Sequence, residues 1–282
     1  MLTRRNVLRG ALATLPLMGL GTGIAGFCEG GRTTPIRPMT FRFANLPPAF
    51  EGFTILHLTD LHLGTSKHVH DLERTLDALG TRAPDLIVFT GDIAEDVNQI
   101  APAMRLARDL RPKHGVLATL GNHEYFRIGE TRPRLLASDA DLLVNENRII
   151  RVGSSRLFIG GVDDPISMRR DLRPFYPTQL RPTFAGSLPD DFRLLLSHRP
   201  EAFRHVRDYN VDLTLSGHTH GGQIGFNGKS AFEPLFDDGY LWGHYRNGSS
   251  QLYTSSGFGS WFAFRLGCGA EAPLITLTRA VG

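Results

Sequence analysis

Cysteine is almost absent from this chain: its 282 residues include two, Cys28 and Cys268. Neither has a spacing that gathers thiolates around a metal, so a cysteine-built metal site is excluded. A Cys28–Cys268 disulfide is allowed in an oxidising compartment, but two inert thiols are the simpler reading. Charge of one sign is also lacking. The net charge of +3 arises within residues 1–25, where Arg4, Arg5 and Arg9 face no acid; the remainder is balanced. A neutral body gives no electrostatic purchase on a polyanion, so no nucleic-acid partner is expected. There is no internal repeat, and no long hydrophobic run either. The apolar stretch Ala11–Ala25 is short and carries Pro16, which disfavours a membrane span.

What is present begins with that leader. Thr3-Arg4-Arg5-Asn6-Val7-Leu8-Arg9 resembles a bacterial twin-arginine export signal, with Val7 where Phe is commoner and Arg9 where Lys is commoner. Gly23-Ile24-Ala25 offers a small-x-small cleavage site. Lipidation at Cys28 is disfavoured by Phe27, which stands where a small residue is required. The expected organisation is a signal peptide over 1–25, a Gly-, Thr- and Pro-rich linker over 26–38 and one domain over 39–282. Twin-arginine substrates cross the membrane folded. The expected location is the periplasm or the outer face of the cytoplasmic membrane.

Within the domain, apolar runs alternate with helical patterns. Val69, Leu72, Leu76 and Leu79 fall at helical spacing before Gly80, and Ile100, Met104, Ala107 and Leu110 repeat it before Pro112. A hairpin is predicted through 149–159 and a helix start at Arg199-Pro200-Glu201. A closing strand is predicted over 274–278. The fold class is therefore α/β.

Five polar clusters stand where buried strands should end: Asp60-Leu61-His62, Gly91-Asp92, Gly121-Asn122-His123-Glu124, Ser197-His198 and Gly217-His218-Thr219-His220. Ligands collect at the carboxyl ends of strands in such folds. Carboxylates, an amide and imidazoles make a poor core but a good cage for two divalent cations. Asp60 and His62 are two apart, as are His218 and His220, so at an extended strand end each pair would point one way. Asp92 stands alone, as a carboxylate bridging two metals would. Two divalent ions, two carboxylates and a bridging hydroxide leave a formal charge of about +1, which favours an anionic phosphoester.

The ordered set Asp-x-His, Gly-Asp, Gly-Asn-His-Glu, His and Gly-His-x-His resembles the calcineurin-like metallophosphoesterase superfamily. The string Gly217-His218-Thr219-His220-Gly221-Gly222-Gln223 is similar to a bacterial branch of exported or membrane-associated phosphodiesterases. The resemblance implies a four-layer α/β/β/α sandwich with a dinuclear site at one edge. It also implies one metal on Asp60, His62, Asp92 and His220 and a second on Asp92, Asn122, His198 and His218. Mn, Fe and Zn all suit that donor set. The bridging hydroxide would attack phosphorus, with His123 contacting the phosphate and protonating the leaving group and Glu124 orienting His123. His68 and His70 read as solvated loop residues and His57 as structural.

Residues 226–264 hold 11 aromatics, including Trp242 and Trp261. They form either an apolar platform for an acyl chain, a nucleobase or a membrane surface, or a small satellite core or dimer contact. The leading function is a phosphodiesterase acting on a cell-envelope phosphate ester, lipid-linked substrates included, with the twin-arginine machinery as export partner. The alternatives are a UDP-2,3-diacylglucosamine-type pyrophosphatase, a nuclease, and a silent binding module on the same fold.

Overall fold

The computed structural model describes residues 33–80, 83–138, 140–168, 175–235, 239–260, 262 and 264–280. The expected signal peptide, the linker up to residue 32, Cys28, Phe236 and Trp261 lie outside the described residues.

The apolar runs become two six-stranded sheets. In the first, β2 (Thr54–Leu58), β3 (Leu86–Thr90), β4 (Val116–Thr119) and β5 (Asp141–Leu142) run parallel. The C-terminal strand β14 (Ala272–Arg279) pairs antiparallel with β2, and β1 (Ile36–Phe43) pairs parallel with β14 at the edge. Strand β1 thus begins inside the segment expected as linker, because Ile36–Pro38 continue the register with Ala272–Leu274.

The second sheet is built from β6 (Glu146–Val152), β7 (Ser155–Val162), β8 (Phe192–Ser197), β9 (Leu213–Ser216), β12 (Gly243–Asn247) and β13 (Ser250–Thr254). Its order is β12-β13-β9-β8-β7-β6. Strands β6 and β7 are the predicted hairpin, tightened by a left-handed Gly153. A short ribbon, β10 (Gly225–Phe226) and β11 (Lys229–Ser230), stands apart.

Alternation along the strands sorts side chains into three cores, and the cores define the layers. Ile55, Leu86 and Val88 face Leu194, Leu196 and Leu213 between the two sheets. Their neighbours Leu56, Leu58, Ile87 and Phe89 turn outward to helices α1 (Val69–Asp77) and α2 (Ile100–Asp109) through Leu72, Leu76, Ala103 and Met104. Phe158, Val162 and Leu195 cover the other outer face with Phe175, Leu180, Phe203 and Val206. The result is the four-layer α/β/β/α sandwich. Each fully buried Phe or Leu contributes on the order of 2 kcal/mol by leaving water. Asp71 accepts the backbone N–H of His68 at 2.9 Å and so closes the start of α1.

The predicted helix start at Arg199-Pro200 leads into a 3-10 helix, Pro200–Tyr209, rather than an α-helix. Two short helices, α3 (Asn122–Phe126) and α4 (Ile128–Leu136), follow β4. A last helix, α5 (Phe175–Thr183), went unforeseen because Pro177 and Pro182 interrupt its period.

Candidate metal centre

The five clusters converge at the carboxyl ends of the central strands, and each sheet contributes. Asp60 and His62 follow β2, Asp92 follows β3 and Asn122 opens α3 beyond β4. His198 follows β8, while His218 and His220 follow β9. Hydrogen bonds tie the two sheets at this edge: His198 Nδ1 lies 2.8 Å from the Thr90 carbonyl, and the His218 amide donates to the Asp60 carboxylate at 3.0 Å.

Strand alternation does not account for the convergence. Asp60, His62, Asp92, His218 and His220 have φ of 52°, 45°, 51°, 68° and 50°. These are left-handed conformations that non-glycine residues rarely adopt, and they turn each side chain out of the sheet's pleat. The parity expected of Asp60/His62 and His218/His220 is therefore replaced by successive kinks. Gly217 leaves the room this needs, since a Cβ there would overlap the Asp60 carboxylate and the Thr59 hydroxyl.

Two donor groups are built from these residues, and a third, His62 with Glu95 and His123, adjoins them. Asp60, His62 and His220 bring their ligand atoms within 4.8 Å of one another, and so do Asp92, His198 and His218. Asp92 Oδ2 joins the groups, 3.3 Å from His198 Nε2 and 3.7 Å from His62 Nε2. Asn122 Oδ1 lies 3.2 Å from His198 Nε2. All seven residues read from the sequence as ligands are brought together.

The arrangement fits cations better than it fits itself. His198 Nε2 faces Asp92 Oδ2, Asn122 Oδ1 and, at 3.2 Å, His218 Nδ1, yet one ring nitrogen can donate only once. His62 spends Nδ1 on Glu95 Oε1 at 2.7 Å, which leaves its Nε2 facing His220 Nε2 at 3.3 Å. These two nitrogens either share a proton or both turn their lone pairs to a cation, and the second arrangement is the one a metal would impose. Backing a ligand imidazole with a carboxylate or carbonyl on its other nitrogen is how metal sites fix the tautomer.

The electrostatics agree. Burial pushes the His220 ring down to about 3. Burial, with His198 and Arg199 alongside, pushes His218 down to about 2, so both rings are neutral ligands at neutral pH. Burial opposes a charge on His198 as well, but the Asp92 carboxylate outweighs it and raises that ring to about 10. Burial likewise opposes the Asp92 charge, yet His198, His62 and His123 hold its carboxyl well below the usual carboxylate range. A cation at the second group must displace the His198 proton.

His123 borders the same centre, its Nε2 3.9 Å from Asp92 Oδ2. The role expected for Glu124 is corrected here. Glu124 is buried and accepts the amides of Asp92, Ile93 and Gly121 at 2.8, 2.7 and 2.6 Å, so it shapes two loops and leaves the His123 ring alone. The carboxylate at His123 belongs to Glu95, whose Oε1 lies 2.5 Å from His123 Nδ1. Glu95 escaped the sequence reading. Its signal is a second acid three residues beyond Asp92, in the same post-strand loop. Contacts with His123 and His62 hold the Glu95 carboxyl down at about 2.

The chain's similarities to known proteins accord with this geometry. A family model described as calcineurin-like phosphoesterase matches residues 53–222, the span from β2 through the last ligand cluster. The chain belongs to the calcineurin-like phosphoesterase family. Its relatives in that family include an uncharacterised metallophosphoesterase, YkuE, of Bacillus subtilis, 31% identical over 92% of this chain and 91% of its own. Phosphodiesterase YaeI of Escherichia coli is 29% identical over 98% of this chain and all of its own length. An uncharacterised metallophosphoesterase, Cj0846, of Campylobacter jejuni is 30% identical over 77% of this chain, which spans only 56% of that relative. As a member of the family, the chain is a metal-dependent phosphoric ester hydrolase.

Other residues of interest fall outside the centre. His57 is buried on β2 with Nε2 2.8 Å from Thr90 Oγ1, as its structural reading requires. His68 and His70 stack on each other at the start of α1. Of the aromatic segment, Trp242, Tyr253 and Phe258 are buried, so part of it is core. Phe226 and Phe262 remain exposed. So does Phe126, whose ring packs edge-on against His123 at 5.1 Å. Cys268 is buried, its Sγ 3.3 Å from the His220 carbonyl.

Proposed function

We propose that this phosphoesterase is an exported phosphodiesterase that hydrolyses a cell-envelope phosphate ester on two divalent cations. One observation carries the reading: two donor groups share the Asp92 carboxylate, with ring nitrogens and oxygens turned toward one another at 3.2–3.7 Å. Asp60, His62, Asp92 and His220 would hold one cation, and Asp92, Asn122, His198 and His218 the other. Bound there, Mn, Fe or Zn would supply Lewis acidity to the phosphate and activate water for attack on phosphorus.

The chain's own residues supply the rest. Glu95 faces His123 Nδ1, so the protonated ring spends one N–H on that carboxylate and turns the other, on Nε2, toward the centre, where it can be given to the departing oxygen. Burial resists charge on the His123 ring, but Glu95 and Asp92 outweigh it and raise its pKa, keeping a donor available near neutral pH. The preference for a diester with an apolar substituent is supported by Phe126, 66% exposed at the His123 ring, and by Phe262 on the loop hydrogen-bonded to Gln223. A relative along the full length, YaeI, is named a phosphodiesterase. Export is supported by the Arg4-Arg5 leader, which precedes a domain of balanced charge.

The test is a metal-supplemented hydrolysis screen over phosphomonoesters, phosphodiesters, nucleotide sugars and phospholipids, with Asp92→Ala as the inactive control. Turnover of diesters above all other classes supports the reading; turnover of nucleotide sugars alone refutes it.

A further inference from the structure

We infer that Arg199 is a specificity residue whose guanidinium takes a non-bridging oxygen of the substrate phosphate; this rests on the phosphoesterase reading of the site. Arg199 directly follows His198 in an extended conformation enforced by Pro200. Its Nε donates to Asp164 Oδ2 at 2.8 Å. Asp164 is buried at the end of β7, and its Oδ1 accepts the Ile166 amide at 2.8 Å, so the carboxylate is itself held. The guanidinium is thereby fixed with Nη1 2.8 Å from His218 Nε2, one imidazole away from the donor groups. Its side chain keeps 21% of its surface open to solvent.

Donor and acceptor accounting gives this placement a purpose. An imidazole that offers Nδ1 to a cation carries its hydrogen on Nε2. His218 faces the donor group through Nδ1, so its Nε2–H and the Nη1–H of Arg199 would then stand donor against donor. With His218 so engaged, Nη1 has no acceptor there, and Nη2 makes no hydrogen bond among the described residues. An anionic phosphate oxygen satisfies both. The planar fork of Arg suits that contact, and Asp164 neutralises it while no substrate is bound. A residue that merely oriented His218 would need no charge.

The experiment uses the full chain loaded with Mn²⁺, with inorganic phosphate as the probe. Calorimetric phosphate binding, metal content by elemental analysis, and KM and kcat for a chromogenic phosphodiester are measured for wild type, Arg199→Gln and Arg199→Lys. The expected result for Arg199→Gln is wild-type metal content, phosphate affinity lower by about tenfold to a hundredfold and a matching rise in KM, with kcat changed less. Arg199→Lys should recover part of the affinity. Unchanged phosphate affinity in Arg199→Gln overturns the inference, as does a loss of metal with phosphate affinity per loaded chain preserved, which makes Arg199 a positioning residue for His218. Should Arg199→Gln fail to fold, Arg199→Lys decides alone: phosphate affinity equal to wild type overturns the inference. A wild-type chain that takes up neither metal nor phosphate refutes the phosphoesterase reading itself, and the inference with it.

Discussion

Replacing Glu95 with Gln isolates the contribution of one carboxylate to two imidazoles. Glu95 Oε1 lies 2.7 Å from His62 Nδ1 and 2.5 Å from His123 Nδ1, so a single oxygen supports a ligand and the acid at once. Those contacts hold its carboxyl at about 2 against an ordinary 4.5. The gap corresponds to about 3 kcal/mol at full strength. With 29% of the side chain exposed, solvent screening leaves roughly 1.5 kcal/mol. That is about tenfold in rate, at the lower end of the ten- to hundredfold loss usual for such supporting partners. The expected outcome for Glu95→Gln is therefore a ten- to hundredfold fall in kcat/KM on a chromogenic diester. The pH profile adds an independent sign. Burial lowers the His123 pKa and Glu95 raises it. Without the carboxylate that pKa falls, and because a general acid works only while protonated, the alkaline limb moves to lower pH. An unaltered kcat/KM together with an unmoved alkaline limb would refute the reasoning.

Three further outcomes are expected. Glu124→Ala strands the buried amides of Asp92, Ile93 and Gly121 and should cost about 3 kcal/mol in a urea melt, with Glu124→Gln intermediate. Burial holds His57 at about 3 in the folded chain against 6.5. The native state then binds fewer protons, so stability is complete above pH 6.5 and is lost toward pH 3, by about 2–3 kcal/mol at pH 4.5. His57→Gln should flatten that part of the pH–stability curve. Divalent metal at a hundred times its Kd should stabilise the chain by about 2.7 kcal/mol, read as a rise in Tm that excess chelator reverses.

Much of the fold was legible because the chain's central strands are short apolar runs ended by polar clusters. Leu86–Thr90 and Val116–Thr119 needed no knowledge of their neighbours to be recognised. The convergence of seven polar side chains was legible for the same reason: each alone is an ordinary turn or cap residue, but so many at neighbouring strand ends mark one site. Their route into the site was not. Period-2 alternation predicts side-chain direction only while φ stays negative, and five of the seven ligands depart from that. Glu95 and Arg199 stayed hidden because their importance is a matter of pairwise distance, to His123 and to His218, across elements far apart in the chain. The aromatic segment misled in part, since composition cannot distinguish a buried Trp242 from an exposed Phe262.

The left-handed ligands set catalysis against robustness. At each of Asp60, His62, Asp92, His218 and His220 the backbone adopts the conformation least suited to a side chain, at roughly 1 kcal/mol apiece. Glycine would relieve every one of those penalties and remove a donor in the same step. Laboratory evolution for heat resistance in a chelating medium would therefore drift toward glycine at the positions that matter most, yielding hardier proteins with nothing left to hydrolyse.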